Sequence, residues 1–335
     1  MSLNGFLNIN KPEGRTSRQV VTAIKTLLLR SGFSSKKLPK MGHAGTLDPL
    51  ATGVLVVCLG HGTRFIERLH LQSKSYRGTF LLGKRSNTDD IDGDVVDVAV
   101  ERAAQLTRHE VESNLQPFLG RIEQVPPVFS AVWVAGKRAY ELARRGEEVS
   151  LKPKTVEIQR IEIVRFDPPV LELDIECSSG TYIRSLGRDL GERLGCGAVM
   201  SALSRTRVGS FDLSDATPLS EITVDSLRDK LHPCLTVVPQ LRTYACNEAD
   251  IELLKRGAGI NVRDDAWGVP KTQQDQVAPS SVNDPEGAYS LLDPNGILIG
   301  IGGWDHILPV LRPRLNLITT HEPMCRELRD VPTEC

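Results

Sequence analysis

The sequence has no apolar run near the length of about 18 residues that a membrane-spanning helix needs. Its first residues also lack the basic and then apolar order of a secretory signal. The seven cysteines are odd in number and widely scattered, with no Cys-x-x-Cys pair and no histidine at ligand spacing, which argues against a disulfide framework or a zinc site. We therefore expect a cytoplasmic protein whose cysteines are buried free thiols.

The composition is that of an ordinary soluble globular protein, with 40% hydrophobic and 25% charged residues. A chain of 335 residues favours about two domains, at roughly 150 residues each. The net charge is only −1, but residues 1–40 carry eight basic residues and one acidic residue, a net charge of +7. This segment is a candidate phosphate-facing surface, although a solvated basic helix face has the same composition.

Hydrophobic patterning predicts strands mixed with helices. Strands are expected at residues 5–9, 53–59, 76–82, 156–166 and 170–177, and helices after Thr16, after Thr107 and over 181–194. Thr16 with Gln19 and Thr107 with Glu110 have the spacing of capping boxes. Without a regular alternation of strand and helix, the pattern favours an α+β fold with a mixed, largely antiparallel sheet flanked by helices.

The composition and the predicted secondary structure of the chain change after about residue 235. A polar, glutamine-rich stretch at about 264–287 reads as an insertion, and short strands are expected at 288–292, 297–302 and 308–317. These boundaries predict a domain over 1–235, a small β-rich module over 236–318 and a tail over 319–335.

An acidic segment spans residues 89–97. The spacing of Asp90, Asp92 and Asp94 resembles a calcium loop, but the glycine and the terminal glutamate of such a loop are missing at the required offsets. No metal site and no cofactor are expected.

The segment Gly42-His43-Ala44-Gly45-Thr46-Leu47-Asp48-Pro49-Leu50-Ala51-Thr52-Gly53 holds one carboxylate in a glycine-rich loop before a core strand. Glycines permit tight folding and Pro49 restricts the residue before it, so that Asp48 could be held rigidly for nucleophilic chemistry. On local grounds alone, an Asp-Pro pair in a glycine-rich loop is more often simply a turn former.

This segment resembles the catalytic loop of the TruB family of tRNA pseudouridine synthases. Further stretches match the family in order, namely the Asn-Lys-Pro-x-Gly of residues 10–14, residues 74–83, residues 124–131 and the paired stretches 179–186 and 203–209. The resemblance covers about residues 5–215. It implies a pseudouridine synthase core followed by a degenerate PUA-like module, and isomerisation of uridine to pseudouridine at position 55, in the T-loop of tRNA.

The resemblance also implies roles for individual residues. Asp48 is the catalytic aspartate, Arg184 is the cation that orients it, and Tyr76 stacks on the uracil and accepts its C5 proton. Tyr182 is expected to stack and Leu203 to pack on the base.

His43 is expected to insert near the vacated position of the flipped base, and Lys11 to contact RNA phosphates with the basic segment. Arg205 and Arg207 are expected to join these phosphate contacts. The expected partner is the T-arm of tRNA, with no membrane, no DNA and a monomeric enzyme.

Two other functions remain open from the sequence. A tRNA-binding or RNA-folding protein with an unused pocket needs the same surface as the enzyme. A glycoside hydrolase needs a second positioned carboxylate, and none lies in the matching motifs.

Overall fold

The computed structural model describes residues 3–130, 132–134, 136–147, 149–268, 287–304 and 310–318. The chain divides between His232 and Pro233 into two units. The tail over 319–335 and most of the expected insertion, residues 269–286, lie outside the described residues.

The α-helices are α1 Ser17–Arg30, α2 Ile66–Leu71, α3 Val100–Ala104, α4 Arg108–Leu115, α5 Ala139–Ala143, α6 Ile183–Arg193, α7 Ser226–Asp229 and α8 Glu248–Lys255. The strands are β1 Gly5–Lys11, β2 Met41–His43, β3 Thr52–Leu59, β4 Lys74–Leu82, β5 Lys84–Ser86, β6 Val95–Asp97, β7 Gly120–Gln124, β8 Trp133–Val134, β9 Lys137–Arg138, β10 Lys154–Asp167, β11 Val170–Cys177, β12 Ala198–Val208, β13 Phe211–Asp212, β14 Thr217–Pro218, β15 Leu231–His232, β16 Thr243–Ala245, β17 Ile260–Asn261, β18 Trp267–Gly268, β19 Ala288–Leu292, β20 Leu298–Trp304 and β21 Val310–Asn316.

The first unit is built on one sheet with the strand order β14-β1-β3-β12-β4-β11-β10-β7, to which β2, β13 and β15 are attached. Strands β1 and β14, and strands β3 and β12, are parallel. The remaining neighbours are antiparallel, including β10 and β11, which contain the strands expected at 156–166 and 170–177. The expected α+β fold with a largely antiparallel sheet is confirmed.

Helix α1 packs beside β1 and β3. The predicted capping box is present, because Gln19 N donates to Thr16 Oγ1 (3.1 Å) and Thr16 N donates to Gln19 Oε1 (2.7 Å). Val20, Ile24 and Leu28 lie one helical turn apart and are buried in a cluster with residues of β1 and β3. Since this one face is apolar, the cations of α1 are left on the opposite face.

Helix α6 packs in the larger core of the first unit. Its Leu186 and Leu190 are buried with Phe80 of β4 and Leu173 of β11. This packing fixes the first turn of α6, which carries Arg184.

The second unit contains a six-stranded sheet in the order β17-β21-β20-β19-β16-β18. Tyr244, Leu254, Leu291 and Leu311 belong to its core. Strand β19 has the predicted bounds, and β20 and β21 begin one and two residues later than predicted. The β-rich module expected after the large sheet is therefore present.

Five cysteines in the described ranges, at 58, 177, 196, 234 and 246, are free and buried, as expected. No helix in the described part of the chain is both long and apolar enough to span a bilayer.

Candidate active site

The glycine-rich loop lies between β2 and β3, which pair antiparallel with Gly42 opposite Cys58 and His43 opposite Val57. Leu47, Leu50 and Ala51 of the loop are buried in the core of the first unit. The apolar side chains on either side of Asp48 therefore anchor the loop. The Asp48 side chain itself is 37% exposed to solvent.

Hydrogen bonds hold the backbone on both sides of Asp48. Leu47 N donates to Ser17 Oγ (2.9 Å) and Ser17 Oγ donates to Leu47 O (3.2 Å). Pro49 O accepts Gly14 N (2.8 Å) and Lys11 Nζ (3.2 Å). The Asn-Lys-Pro-x-Gly segment and the start of α1 thus set the position of the carboxylate.

Arg184 contacts Asp48 directly. Its Nη2 lies 3.0 Å from Asp48 Oδ2, and the arginine side chain is only 7% exposed. The guanidinium also donates to Thr88 O (3.0 Å) and Phe129 O (3.1 Å). These two carbonyls fix the orientation of the cation, which in turn orients the Asp48 carboxylate.

A second carboxylate lies against the same cation. Asp90 Oδ2 is 3.5 Å from Arg184 Nε, and the Asp90 side chain is 6% exposed. One helical turn along α6, Arg188 Nη1 contacts Asp89 Oδ2 (2.9 Å). The acidic segment considered above as a calcium loop therefore supplies carboxylates to two arginines of α6.

Tyr76 and Leu203 come from the central strands β4 and β12. Tyr76 is 8% exposed and Leu203 is 8% exposed, and both belong to the core cluster that contains Leu47. Burial raises the pKa of the Tyr76 phenol above its usual value, and the nearby Arg205 charge acts in the opposite direction. The resting site therefore holds a neutral phenol.

Arg205 lies inside the sheet, with Tyr76 opposite it on β4 and Gly53 opposite it on β3. It is 1% exposed, and its guanidinium donates to Val54 O (2.8 Å) and Gly45 O (3.1 Å). Gly53 has φ +96°, and a Cβ there would lie 2.3 Å from Arg205 O. The strand that follows Asp48 can approach β12 this closely only with glycine at that position.

Tyr182 immediately precedes α6 and is half-buried. Its backbone is clamped by the amide of Gln124, which accepts from Tyr182 N (2.8 Å) and donates to Tyr182 O (3.1 Å). Burial raises the pKa of the Tyr182 phenol. His43 ends β2, and burial together with Arg205 lowers its pKa, so the ring is neutral near pH 7.

Lys11 is fully buried. Its Nζ donates to the carbonyls of Pro12 (2.9 Å), Arg15 (2.6 Å) and Pro49 (3.2 Å), and burial lowers its pKa to about 8. A direct contact with an RNA phosphate would require the ammonium to leave all three carbonyls.

The other two expected phosphate contacts differ from each other. Arg205 is buried, so a phosphate contact would require its guanidinium to leave the protein interior. Arg207 is 41% exposed and pairs with Glu176 (2.6 Å).

The geometry joins a partly exposed carboxylate, a buried cation and a neutral phenol in one region of the first unit. A carboxylate held in this way can add to an electrophilic carbon or remove a proton. Aromatic and apolar side chains such as Tyr76 and Leu203 can pack on a planar base.

Sequence reasoning finds Asp48, Arg184, Tyr76, Tyr182 and Leu203 through motifs. It misses the ion pair of Asp90, the loop contacts of Arg205 and the clamp formed by Gln124. The one available signal is the spacing of Arg184 and Arg188 by four residues, which places two cations on one helix face opposite two consecutive aspartates.

Comparisons with known proteins agree with this arrangement. The N-terminal domain model of TruB family pseudouridylate synthase matches residues 31–183, and the tRNA pseudouridylate synthase B C-terminal domain model matches residues 184–236.

Two curated relatives illustrate the similarity. The chain is 40% identical to tRNA pseudouridine synthase B of Heliobacterium modesticaldum over 80% of this chain and 85% of the relative. It is 38% identical to the protein of the same name from Prochlorococcus marinus over 90% of this chain and 94% of the relative.

Among solved structures, a Cbf5-Nop10-Gar1 complex matches with a TM-score of 0.62 and 25% identity, over 90% of this chain and 78% of that chain. An H/ACA RNP bound to a substrate RNA shares the fold, with a TM-score of 0.65 and 20% identity over 95% of this chain and 86% of that chain. Taken with the two matching family models, these similarities show that the chain belongs to the TruB family of pseudouridylate synthases.

Proposed function

We propose that the protein is a cofactor-independent isomerase that converts uridine to pseudouridine at position 55, in the T-loop of tRNA, with Asp48 as the catalytic aspartate. The observation that carries this proposal is the 3.0 Å contact between a partly exposed Asp48 carboxylate and a buried Arg184 guanidinium. The curated relatives bear the name tRNA pseudouridine synthase B, which supports tRNA as the substrate. The reaction would then take place in the cytoplasm.

The reaction exchanges one bond for another without oxidation or hydrolysis. The ribose C1′–N1 bond breaks, the uracil turns, C1′ bonds to C5, and the C5 proton leaves. Asp48 can add to the ribose, add to the base or remove a ribose proton during bond cleavage. Each route requires a carboxylate held in a fixed orientation, which the contact with Arg184 provides.

Asp48 acts without a second free carboxylate in this proposal. The Asp90 side chain is 6% exposed and faces the same guanidinium, so it is poorly placed to activate water. A hydrolase would need such a group. The geometry therefore favours isomerisation over hydrolysis.

The target uridine must leave its stack in the RNA before it can reach Asp48. Unstacking costs a few kcal/mol, which the enzyme offsets with substitute contacts. We assign stacking to Tyr76 and Tyr182, packing to Leu203 and insertion at the vacated position to His43. The neutral state of His43 favours this insertion, because an uncharged ring loses less solvation when it enters the RNA.

Tyr76 is also the proposed acceptor of the C5 proton. Since its phenol is neutral at rest, it must pass its own proton to water before or during this step, and the C5 proton then restores the neutral phenol. The Arg205 charge lowers the free energy needed for that release.

Incubation of the protein with an unmodified tRNA transcript carrying tritium at uracil C5 tests the function. We expect release of one tritium per transcript, and none from a transcript with cytidine at position 55. Tight binding without release would favour the RNA-folding alternative. Equal release from the cytidine-55 transcript would place the modified uridine elsewhere.

A further inference from the structure

The solvent-facing side of α1 and the segments that flank it carry an unusual concentration of positive charge. We define the α1 basic face as the seven exposed residues Arg15, Arg18, Lys25, Arg30, Lys36, Lys37 and Lys40. Glu13 is the one acidic residue between residues 1 and 40. Helix α1 has 14 residues and therefore extends about 21 Å, enough to follow several consecutive phosphates.

The cations of the α1 basic face differ from three exposed arginines elsewhere in the first unit that form salt bridges. Arg85 pairs with Glu192 (2.7 Å), Arg108 with Glu112 (2.8 Å) and Arg160 with Glu162 (2.6 Å). Within the described ranges, no carboxylate forms a salt bridge with any of the seven cations of the α1 basic face. Their charge is available to a partner.

Two grooves flank the helix, and no acidic residue among those that the structure describes lines either of them. The larger, of about 1150 Å³, is lined by Arg15, Arg18 and Arg30 and reaches Thr52 at the end of the catalytic loop. The smaller, of about 510 Å³, is lined by Arg18, Lys25, Lys40 and His43 and reaches the start of that loop. Arg18 lines both grooves, so cations of the α1 basic face line grooves that reach the two ends of the catalytic loop.

We propose that the α1 basic face binds the phosphodiester backbone of the tRNA T-arm on either side of the flipped uridine. This proposal rests on the proposed function, which brings the T-loop to Asp48. A flipped nucleotide leaves a strand on each of its sides, and the two grooves begin at the two ends of the catalytic loop. Unpaired cations there neutralise phosphates and release counterions, which gives affinity without sequence specificity.

The second unit makes such a surface more important. Residues 241–335 carry nine basic and fourteen acidic residues, a net charge of −5. A surface with this balance contributes little electrostatic attraction to a polyanion. The positive charge that holds RNA is therefore expected on the first unit.

A triple variant, Arg18→Gln with Lys25→Gln and Arg30→Gln, tests the proposal. Arg85→Gln with Arg108→Gln and Arg160→Gln is the matched control, because it removes the same charge from cations that are paired within the protein. Binding of a T-arm stem-loop RNA is measured between 50 and 200 mM KCl by fluorescence anisotropy. Tritium release at saturating RNA is measured in parallel.

We expect the slope of log K against log salt to fall in magnitude by about 2 to 3 in the α1 variant, and affinity at 50 mM salt to fall about 10- to 100-fold. The control should keep the wild-type slope, and kcat should stay unchanged in both. Equal slopes in the two triple variants would overturn the proposal, as would a lower kcat with unchanged affinity. A loss seen with whole tRNA but not with the stem-loop would place the contact outside the T-arm and overturn it as well.

The binding measurement is independent of catalysis. If the wild-type protein binds the stem-loop but releases no tritium, the proposed function fails while the slope still tests the α1 basic face. If tritium is released and the slopes are equal, only this inference fails.

Discussion

Replacement of Arg184 by methionine distinguishes the contribution of this side chain to stability from its expected contribution to catalysis. The arginine side chain is 7% exposed and contacts two carboxylates, Asp48 at 3.0 Å and Asp90 at 3.5 Å. Methionine fills part of the same volume but has no charge and no donor. The variant leaves both carboxylates without this cation.

The two carboxylates respond differently because their exposure differs. Asp90 is 6% exposed and would be left as a buried charge without its cation, and breaking a buried pair in this way typically costs about 3–5 kcal/mol. Asp48 is 37% exposed, so water solvates it and its share of the lost stability is small. With a total stability of about 5–15 kcal/mol for a typical domain, Arg184→Met should unfold at clearly lower urea concentration.

A second substitution, Asp90→Asn, removes the uncompensated charge. We expect Arg184→Met with Asp90→Asn to recover most of the lost free energy of unfolding. We expect no recovery of activity, because Asp48 still lacks its positioned donor. Loss of one such electrostatic contact typically lowers kcat by about 10²- to 10³-fold.

Urea unfolding and single-turnover tritium release measure the two effects. Arg188→Met is the control, since Arg188 lies one turn along α6 and pairs with Asp89 and Asp189 rather than with Asp48. The Arg188→Met variant should lose some stability and keep the wild-type rate of the chemical step. If the double variant regained activity together with stability, the catalytic part of the reasoning would be refuted.

Three further substitutions test the surrounding residues. Tyr76→Phe keeps the ring but removes the proposed proton acceptor, so we expect a folded protein whose tritium release is lost in single-turnover assays. Arg205→Lys keeps the buried charge but cannot reproduce both bonds to Gly45 O and Val54 O, so kcat should fall about 10- to 100-fold while tRNA affinity is kept. Lys11 has a pKa of about 8 in the folded protein, below its value near 10.5 in the unfolded chain. Between pH 8 and 10.5 the unfolded state therefore binds more protons than the folded state. The free energy of unfolding should rise with pH across this range. Lys11→Met should show a smaller rise across pH 8 to 10.5 in urea unfolding; an unchanged rise would contradict the assignment to Lys11.

Features decided by neighbouring residues are predictable from this sequence. The capping boxes at Thr16 and Thr107 depend on residues three positions apart, and both are present. The paired strands β10 and β11 follow from alternating apolar residues around a Pro-Pro turn. In each case the determining contacts lie within one turn or one hairpin.

Features decided by distant contacts are not predictable in this way. Strand β12 contains Ser204, Arg205 and Thr206, a polar run that is typical of an exposed segment. Arg205 is nevertheless buried because carbonyls about 150 residues earlier in the chain accept its hydrogen bonds. Lys11 is similarly placed in the interior by three carbonyls, one of which belongs to Pro49. A prediction from charge alone would therefore place Arg205 and Lys11 on the surface, where the structure does not have them.

The candidate site shows the same division. Motif resemblance identifies Asp48, Arg184 and Tyr76 as a group, since each lies in a stretch that matches the family. Asp90 has no such motif in the sequence, and its position becomes evident only when α6 packs beside the acidic segment. The supporting contacts of a site are thus harder to predict than the residues that lie in its motifs.

Substitution of Asp48 by asparagine tests the central claim most directly. Asparagine has nearly the same shape and can still accept a hydrogen bond from Arg184, but it carries no negative charge. We predict that Asp48→Asn binds tRNA as the wild type does and releases no tritium from C5 of uridine 55 in a single-turnover assay. Release at the wild-type rate would contradict the assignment of Asp48 as the catalytic aspartate.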